Sequence, residues 1–233
     1  MPEAAVGSSS STAVVVSENG AGAVEQLGER IRAARLQRGI GVRELARRVD
    51  CSASMISQIE KGMTNPSVST LYSISVALGI STDMLIAGVE APLNGGVRDA
   101  ERDVTPAFRG AAALRAPVVL HPSERRVIDL ERGVRWELLM PTPESNAEFM
   151  EVTYGVGGGS TDGEHAIRHN GREYSVILDG RLAVQIGFEQ YVLEAGDSMA
   201  FDSAIPHRFW NAGSVPARGI WFVVDRWPST HDL

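Results

Sequence analysis

The pattern of apolar and polar positions changes character once along the chain. From Val24 to Gly88 apolar residues return at helical spacing, and beyond about residue 117 they alternate with polar ones. In EQLGERIRAARLQRG, Leu27, Ile31 and Ala34 share one face with Arg35 beside them, and Gly39 supplies a stop. GVRELARRVD repeats the pattern with Leu45, Ala46 and Val49. The stretch SASMISQIEKGMTNP sets Met55, Ile56 and Ile59 on one side of a short helix. Its other side carries Ser52, Ala53, Ser54, Ser57 and Gln58, a small polar face without charge. Ser52 is a good N-cap, and Gly62 and Pro66 end the segment. Leu71, Ile74, Ala77 and Leu78 form a further stripe in PSVSTLYSISVALG, and STDMLIAG reads as a short fifth helix.

Beyond Ala116 the runs VVL, RVIDLE, VRWELLM, AEFMEVTYGV, REYSVILDG, RLAVQIGFE, QYVLEAGD, SMAFD, HRFWN and ARGIWFVVDR predict ten short strands, with tight turns at LDG and EAGD. So many short strands in so little chain imply a sandwich or barrel, and no helix is required there. The expected fold class is multidomain α plus β. Residues 1–23, with SSSST and little apolar bulk, are expected to be a disordered tail. Residues 89–116, rich in Gly, Pro, Ala and charge, read as a linker. These divisions leave a helical domain over 24–88 and a β domain over 117–230.

Charge sharpens this division. The 233 residues carry a net charge of −7, and the three segments 1–23, 24–88 and 89–233 contribute −2, +2 and −7. The only positive segment holds the small polar helix, as contact with a polyanion requires. Lys61 is the sole lysine among 22 basic residues, which suggests a GC-rich coding sequence and hence a bacterial source. A single cysteine, Cys51, permits no internal disulfide and fits a reducing compartment. No apolar run is long enough to cross a bilayer and no basic-then-apolar leader opens the chain, so a cytoplasmic location and no membrane partner are expected.

ELARR followed by SASMISQIEKGMTNPSVSTLYSISVALGIS resembles the Cro/CI-like (XRE) helix-turn-helix family over about 65 residues. The resemblance implies a lambda-repressor-like domain of five helices whose third helix enters the major groove of a double-stranded DNA operator, usually from a homodimer. It also implies a buried ion pair between Arg35 and Glu60. Side-chain chemistry suggests separate roles on that face. Ser54 and Gln58 lie one helical turn apart, and the Gln amide can pair twice with an adenine edge. Ala53 is small enough to meet a thymine methyl, and Ser57 shares the face. Arg43, Ser52, Lys61, Thr64 and Asn65 are expected at phosphates, where they position the domain without reading sequence.

HNGREYSVILDGRLAV and LEAGDSMAFDSAIPHRFWN are similar to the two halves of the cupin signature. The resemblance implies a double-stranded β-helix barrel with a cavity at one mouth. The family's donor positions fall on Ile167, His169, Glu173 and His207, with Asn211 four residues on, so an isoleucine stands where one histidine is usual. His169, Glu173 and His207 nevertheless offer the two nitrogens and one carboxylate that suit a divalent metal such as zinc, iron, manganese or nickel. A metal-free polar cluster is equally open on these residues alone. Trp136, Met150, Tyr154, Ile167, Phe201, Phe209 and Trp221 are candidates to line an effector pocket, or to be plain core.

Together these readings predict a DNA-binding regulator whose barrel binds a small-molecule effector. The alternative is a metal-dependent cupin enzyme, an iron epoxidase-like oxidoreductase with an appended helix-turn-helix. The small polar face favours the regulator, since a scaffold domain has no need of one.

Overall fold

A computed structural model describes residues 19–87, 117–144, 146–161, 163 and 165–224 of the chain. Five helices come first: α1 Asn19–Gln37, α2 Val42–Arg48, α3 Ala53–Glu60, α4 Val68–Leu78 and α5 Thr82–Ala87. Helix α1 begins at Asn19, inside the segment expected to be tail, while residues 1–18 and the expected linker at 89–116 lie outside the described residues. The predicted stripes become the core of this unit, with Leu27, Ile31, Leu45, Ile56, Ile59, Leu71 and Ile74 all at 1% exposure or less. Each such side chain gains about 1.5–3 kcal/mol on leaving water, so the stripe of a helix as short as α3 can outweigh its poor intrinsic stability.

Local chemistry sets the helix ends. Ser52 Oγ accepts the Met55 N–H at 3.1 Å, and Ser67 Oγ does the same for Thr70. Gly79, at φ +61, lets α4 stop in a left-handed turn. Gly28 has a different use. A Cβ there would lie 2.3 Å from the Ile59 carbonyl oxygen, so only glycine lets α1 cross this close to the end of α3. That approach brings Arg35 onto Glu60: Nε–Oε1 is 2.6 Å and Nη2–Oε2 is 2.9 Å, a two-pronged ion pair with both side chains about 6% exposed.

Among the described residues the second unit has nine strands: β1 Val127–Leu130, β2 Val134–Leu138, β3 Ala147–Tyr154, β4 Arg172–Asp179, β5 Arg181–Ile186, β6 Glu189–Glu194, β7 Ser198–Asp202, β8 His207–Asn211 and β9 Ala217–Val224. They form an antiparallel six-stranded sheet in the order β1-β2-β3-β9-β4-β7 and a three-stranded sheet in the order β6-β5-β8. The VVL run is not a strand. Val118 and Val119 are exposed there and join neither sheet, because two adjacent valines give no face to bury. Inward positions alternate as the period requires: Met150, Val152 and Tyr154 on β3, Trp221 and Val223 on β9, Phe209 on β8.

The two units are packed together. The loop after α3 donates and accepts across the junction, Asn65 Nδ2 to the Asp129 carbonyl at 2.7 Å and the Glu131 N–H to the Pro66 carbonyl at 3.1 Å. Helix α4 lies against the barrel mouth, with the Ser69 N–H directed at the Ser160 carbonyl, 3.3 Å away. Among the described residues no helix is long and apolar enough to cross a membrane.

Candidate functional site

The first candidate surface is the outer face of α3. Ser52, Ser54 and Gln58 are exposed and Ala53 and Ser57 half-buried, while Ile56 and Ile59 fill the core beneath. Arg43 on α2 and Lys61 just past α3 are also exposed. The neighbouring Arg47 and Arg48 are taken up by Glu44, at 2.8 and 2.9 Å.

Thr64 and Asn65 need a correction, because both side chains turn toward the barrel and not toward the α3 face. Thr64 Oγ1 donates to Glu131 Oε1 at 3.3 Å, and Asn65 is held by Asp129. Their loop runs back to β1, where a polar side chain finds partners that open solvent would otherwise supply.

The second candidate lies at the barrel mouth. Glu173, on β4 between Phe201 of β7 and Val223 of β9, points inward at 3% exposure. His169 precedes β4, and its Nε2 lies 2.9 Å from Glu173 Oε1. His207 opens β8, and its Nε2 lies 3.1 Å from the same oxygen. The three donor atoms all fall within 4.8 Å of one another.

The opposite face of each ring fixes its tautomer. His169 Nδ1 lies 3.1 Å from the Asn170 carbonyl and His207 Nδ1 lies 2.8 Å from the Ile205 carbonyl. A carbonyl only accepts, so both Nδ1 atoms donate. In the neutral rings both Nε2 lone pairs then face a carboxylate, three acceptors around one point. A proton or a cation has to sit among them.

The protonation pattern agrees. Burial alone would lift the Glu173 pKa, but the two imidazoles beside it hold the carboxyl down to about 2. Burial works against charge on His169 as well, and Glu173 overcomes it, so that pKa is raised. His207 Nε2, fully buried, makes no hydrogen bond despite its closeness to Glu173. The donor set therefore fits a divalent metal, with the backbone carbonyls acting as the outer partners that orient ligating histidines.

Six of the seven expected pocket residues, Trp136, Met150, Tyr154, Ile167, Phe209 and Trp221, do line one cavity beside Glu173. Phe201 does not; its ring packs edge-on against His207, 4.8 Å between centroids. The cavity holds only about 20 Å³, room for about one water. Ile167 occupies the usual histidine's place as part of its apolar wall.

Asn211 serves elsewhere. Its Nδ2 donates to the Tyr154 and Val215 carbonyls and its Oδ1 accepts from Gly213, tying strand ends together.

What closes the cavity comes from the helical unit. Val68 and Tyr72 of α4 complete its lining. The Tyr72 ring stacks on His169 at 4.3 Å with an interplanar angle of 4°, and its hydroxyl donates to Glu148 Oε2 at 3.0 Å. Glu148 also accepts from Thr82 of α5. The predicted stripe of α4, Leu71, Ile74 and Leu78, points into its own core, so Tyr72 sits off that stripe. The signal available in sequence was a second apolar pair one turn apart, Val68 and Tyr72, on the flank of an already amphipathic helix.

The fold and these two sites define a protein with an XRE-type helix-turn-helix domain followed by a cupin domain. The helix-turn-helix family model matches residues 31–85 and the cupin domain model matches residues 150–223. Among particular proteins, the chain is similar to the HTH-type transcriptional regulator PuuR of Escherichia coli, 27% identical over 188 residues that cover 80% of this chain and 88% of that one. The HTH-type transcriptional regulator DdrOP3 of Deinococcus deserti is 38% identical over 65 residues, 28% of this chain and 50% of that protein. A crystal structure of an HTH_3 family transcriptional regulator from Vibrio cholerae shares the fold, with a TM-score of 0.59 at 19% identity over 89% of this chain and 99% of that one.

Proposed function

We propose that this protein is a transcription regulator: a homodimer binds a double-stranded operator through α3, and a small-molecule effector in the barrel changes that affinity. The observation that carries the reading is the outer face of α3, where exposed Ser54 and Gln58 sit one turn apart with exposed Arg43 and Lys61 to either side. Small polar side chains suit base edges, and flanking cations suit phosphates. The similarity of the chain to the transcriptional regulators PuuR and DdrOP3 supports the reading.

The second copy has a candidate seat on the outer face of the six-stranded sheet. Phe149, Phe222 and Tyr174 stand in register across β3, β9 and β4, all partly exposed. A contiguous aromatic row of this kind is costly in water and is satisfied by an identical row related by a two-fold axis.

A divalent metal, where bound, would be held by His169 Nε2, Glu173 Oε1 and His207 Nε2, and would supply the positive charge that the three acceptors demand. The same donor set favours a second reading, a metal-dependent oxidoreductase. The exposed polar face of α3, with Arg43 and Lys61 beside it, weighs toward regulation.

Selection of duplexes from a random pool by the intact chain tests the proposal. A two-fold symmetric consensus is expected, and Gln58→Ala should lose about 1–3 kcal/mol on it while keeping its affinity for random DNA. Equal losses on both would refute base reading by Gln58.

A further inference from the structure

Tyr72 has the surroundings of a bound ligand. Its ring lies flat on His169 and edge-on to Trp136, 5.7 Å between centroids at 62°. Its hydroxyl finds a carboxylate acceptor in Glu148. Trp136, only 3% exposed, has an indole N–H without a hydrogen-bond partner, and it lines the same cavity. A buried donor of that kind is expensive to leave unmet. It marks a polar contact that the tyrosine side chain does not make.

Tyr72 is also a shared wall. It lines the cavity of about 20 Å³ beside Glu173 and two clefts of about 300 and 790 Å³, which share Val223 and Ile167 respectively with that cavity. With the ring withdrawn, the inner cavity and the clefts become continuous, and the joined space reaches the size range of small-molecule sites.

We infer that the Tyr72 side chain is a built-in occupant of the barrel's binding site, and that the effector which replaces it is a small planar ring carrying a hydrogen-bond donor for Glu148 and an acceptor for Trp136. This rests on the regulator reading and deepens it. An effector that stacks on His169 has to evict Tyr72, and Tyr72 is fixed on α4, in the core of the DNA-binding domain. Eviction therefore unseats that domain. The seated form leaves the α3 face open, so it is the form that holds two recognition helices in fixed relation. An unseated pair, each free on its own chain, loses the advantage of a pre-aligned second half-site.

Phenol, the group removed in Tyr72→Ala, is the probe. Calorimetric titration of the full-length chain should give saturable one-to-one binding to Tyr72→Ala, at least tenfold tighter than to the wild type or to Tyr72→Phe, whose rings still fill the seat. Trp136 fluorescence should change in step. Should the alanine variant fail to fold, Tyr72→Leu replaces it, with a smaller gain of the same sign. Affinity for phenol that is equal across the variants, or absent from all of them, overturns the inference.

On the selected duplex Tyr72→Ala should bind on the order of tenfold more weakly than wild type. Phenol binding without that loss would overturn the link to DNA. A wild-type chain that retains no duplex sinks the regulator reading instead, and the phenol titration still decides whether the seat exists.

Discussion

Two of the buried charged clusters, one in each unit, differ in whether their own groups complete them. Arg35 and Glu60 satisfy each other: two parallel hydrogen bonds, opposite charges, and a further bond from Arg35 to the Ile40 carbonyl at 2.8 Å. Nothing else is needed there, and the pair ties α1 to α3. His169, Glu173 and His207 are equally buried, but with their Nδ1 atoms committed both Nε2 atoms face one Glu173 oxygen, and a proton or a cation has to join them. The first cluster is complete in its own groups, whereas the second needs a proton or a metal besides them. Buried ions are costly to desolvate in both cases, so each cluster depends on its charges being met.

Breaking the complete pair gives the largest expected effect. Glu60→Ala strands Arg35 in the helical core and should cost about 3–5 kcal/mol in urea unfolding followed by helical circular dichroism. A loss below about 1 kcal/mol would mean that the pair is solvated. The incomplete cluster should respond to addition and not to deletion. Zinc at a hundredfold excess over its Kd should stabilise the wild type by about 2.7 kcal/mol and leave Glu173→Gln unchanged. Indifference of the wild type to zinc, iron(II), manganese and nickel alike would make the cluster a proton-satisfied one.

Asp83 offers an intermediate case, a buried carboxylate whose Oδ1 has no hydrogen-bond partner. Burial first, then the charge of Glu148, raises its pKa to about 7, and Arg126 and the Glu144 backbone offset this only in part. A raised acid favours the folded form when protonated, so its contribution is fully present below the ordinary value of 3.8 and is lost as pH rises through about 7. Stability should therefore grow by about 1.4 kcal/mol on going from pH 8 to pH 6, and Asp83→Asn should flatten that slope in thermal melts. The smallest effect is expected from Lys61→Ala, which should reduce the slope of log affinity against log salt by about 0.9 without altering the consensus.

Elements with strong periodicity were legible from the chain alone. Leu27, Ile31, Ile56, Ile59, Leu71 and Ile74 announced the helical core, and Ser52 announced its cap, because spacing and capping are local properties. His169, Glu173 and His207 were legible as donors in kind. Their tautomers were not, since these depend on the Asn170 and Ile205 carbonyls that only the folded loops bring near.

The junction was the least legible part. Thr64 and Asn65 look like phosphate ligands after a recognition helix, and only the return of their loop to β1 shows them satisfied by Glu131 and Asp129. Tyr72 escaped notice for the same reason: a residue on the flank of an amphipathic helix owes its environment to another unit, and the Val68–Tyr72 pair does not itself say what covers it. Phe201 pairs with Glu173 across β4 and β7, but its ring packs edge-on against His207 and does not line that cavity.

The most direct test is retention of the selected duplex against random competitor in a gel shift at low ionic strength, comparing the wild type with the Ser54→Ala/Gln58→Ala pair. The account predicts that wild type holds the selected duplex in preference and that the double variant binds both duplexes alike. Preference that survives in the double variant, or a wild type that holds neither duplex, would contradict it.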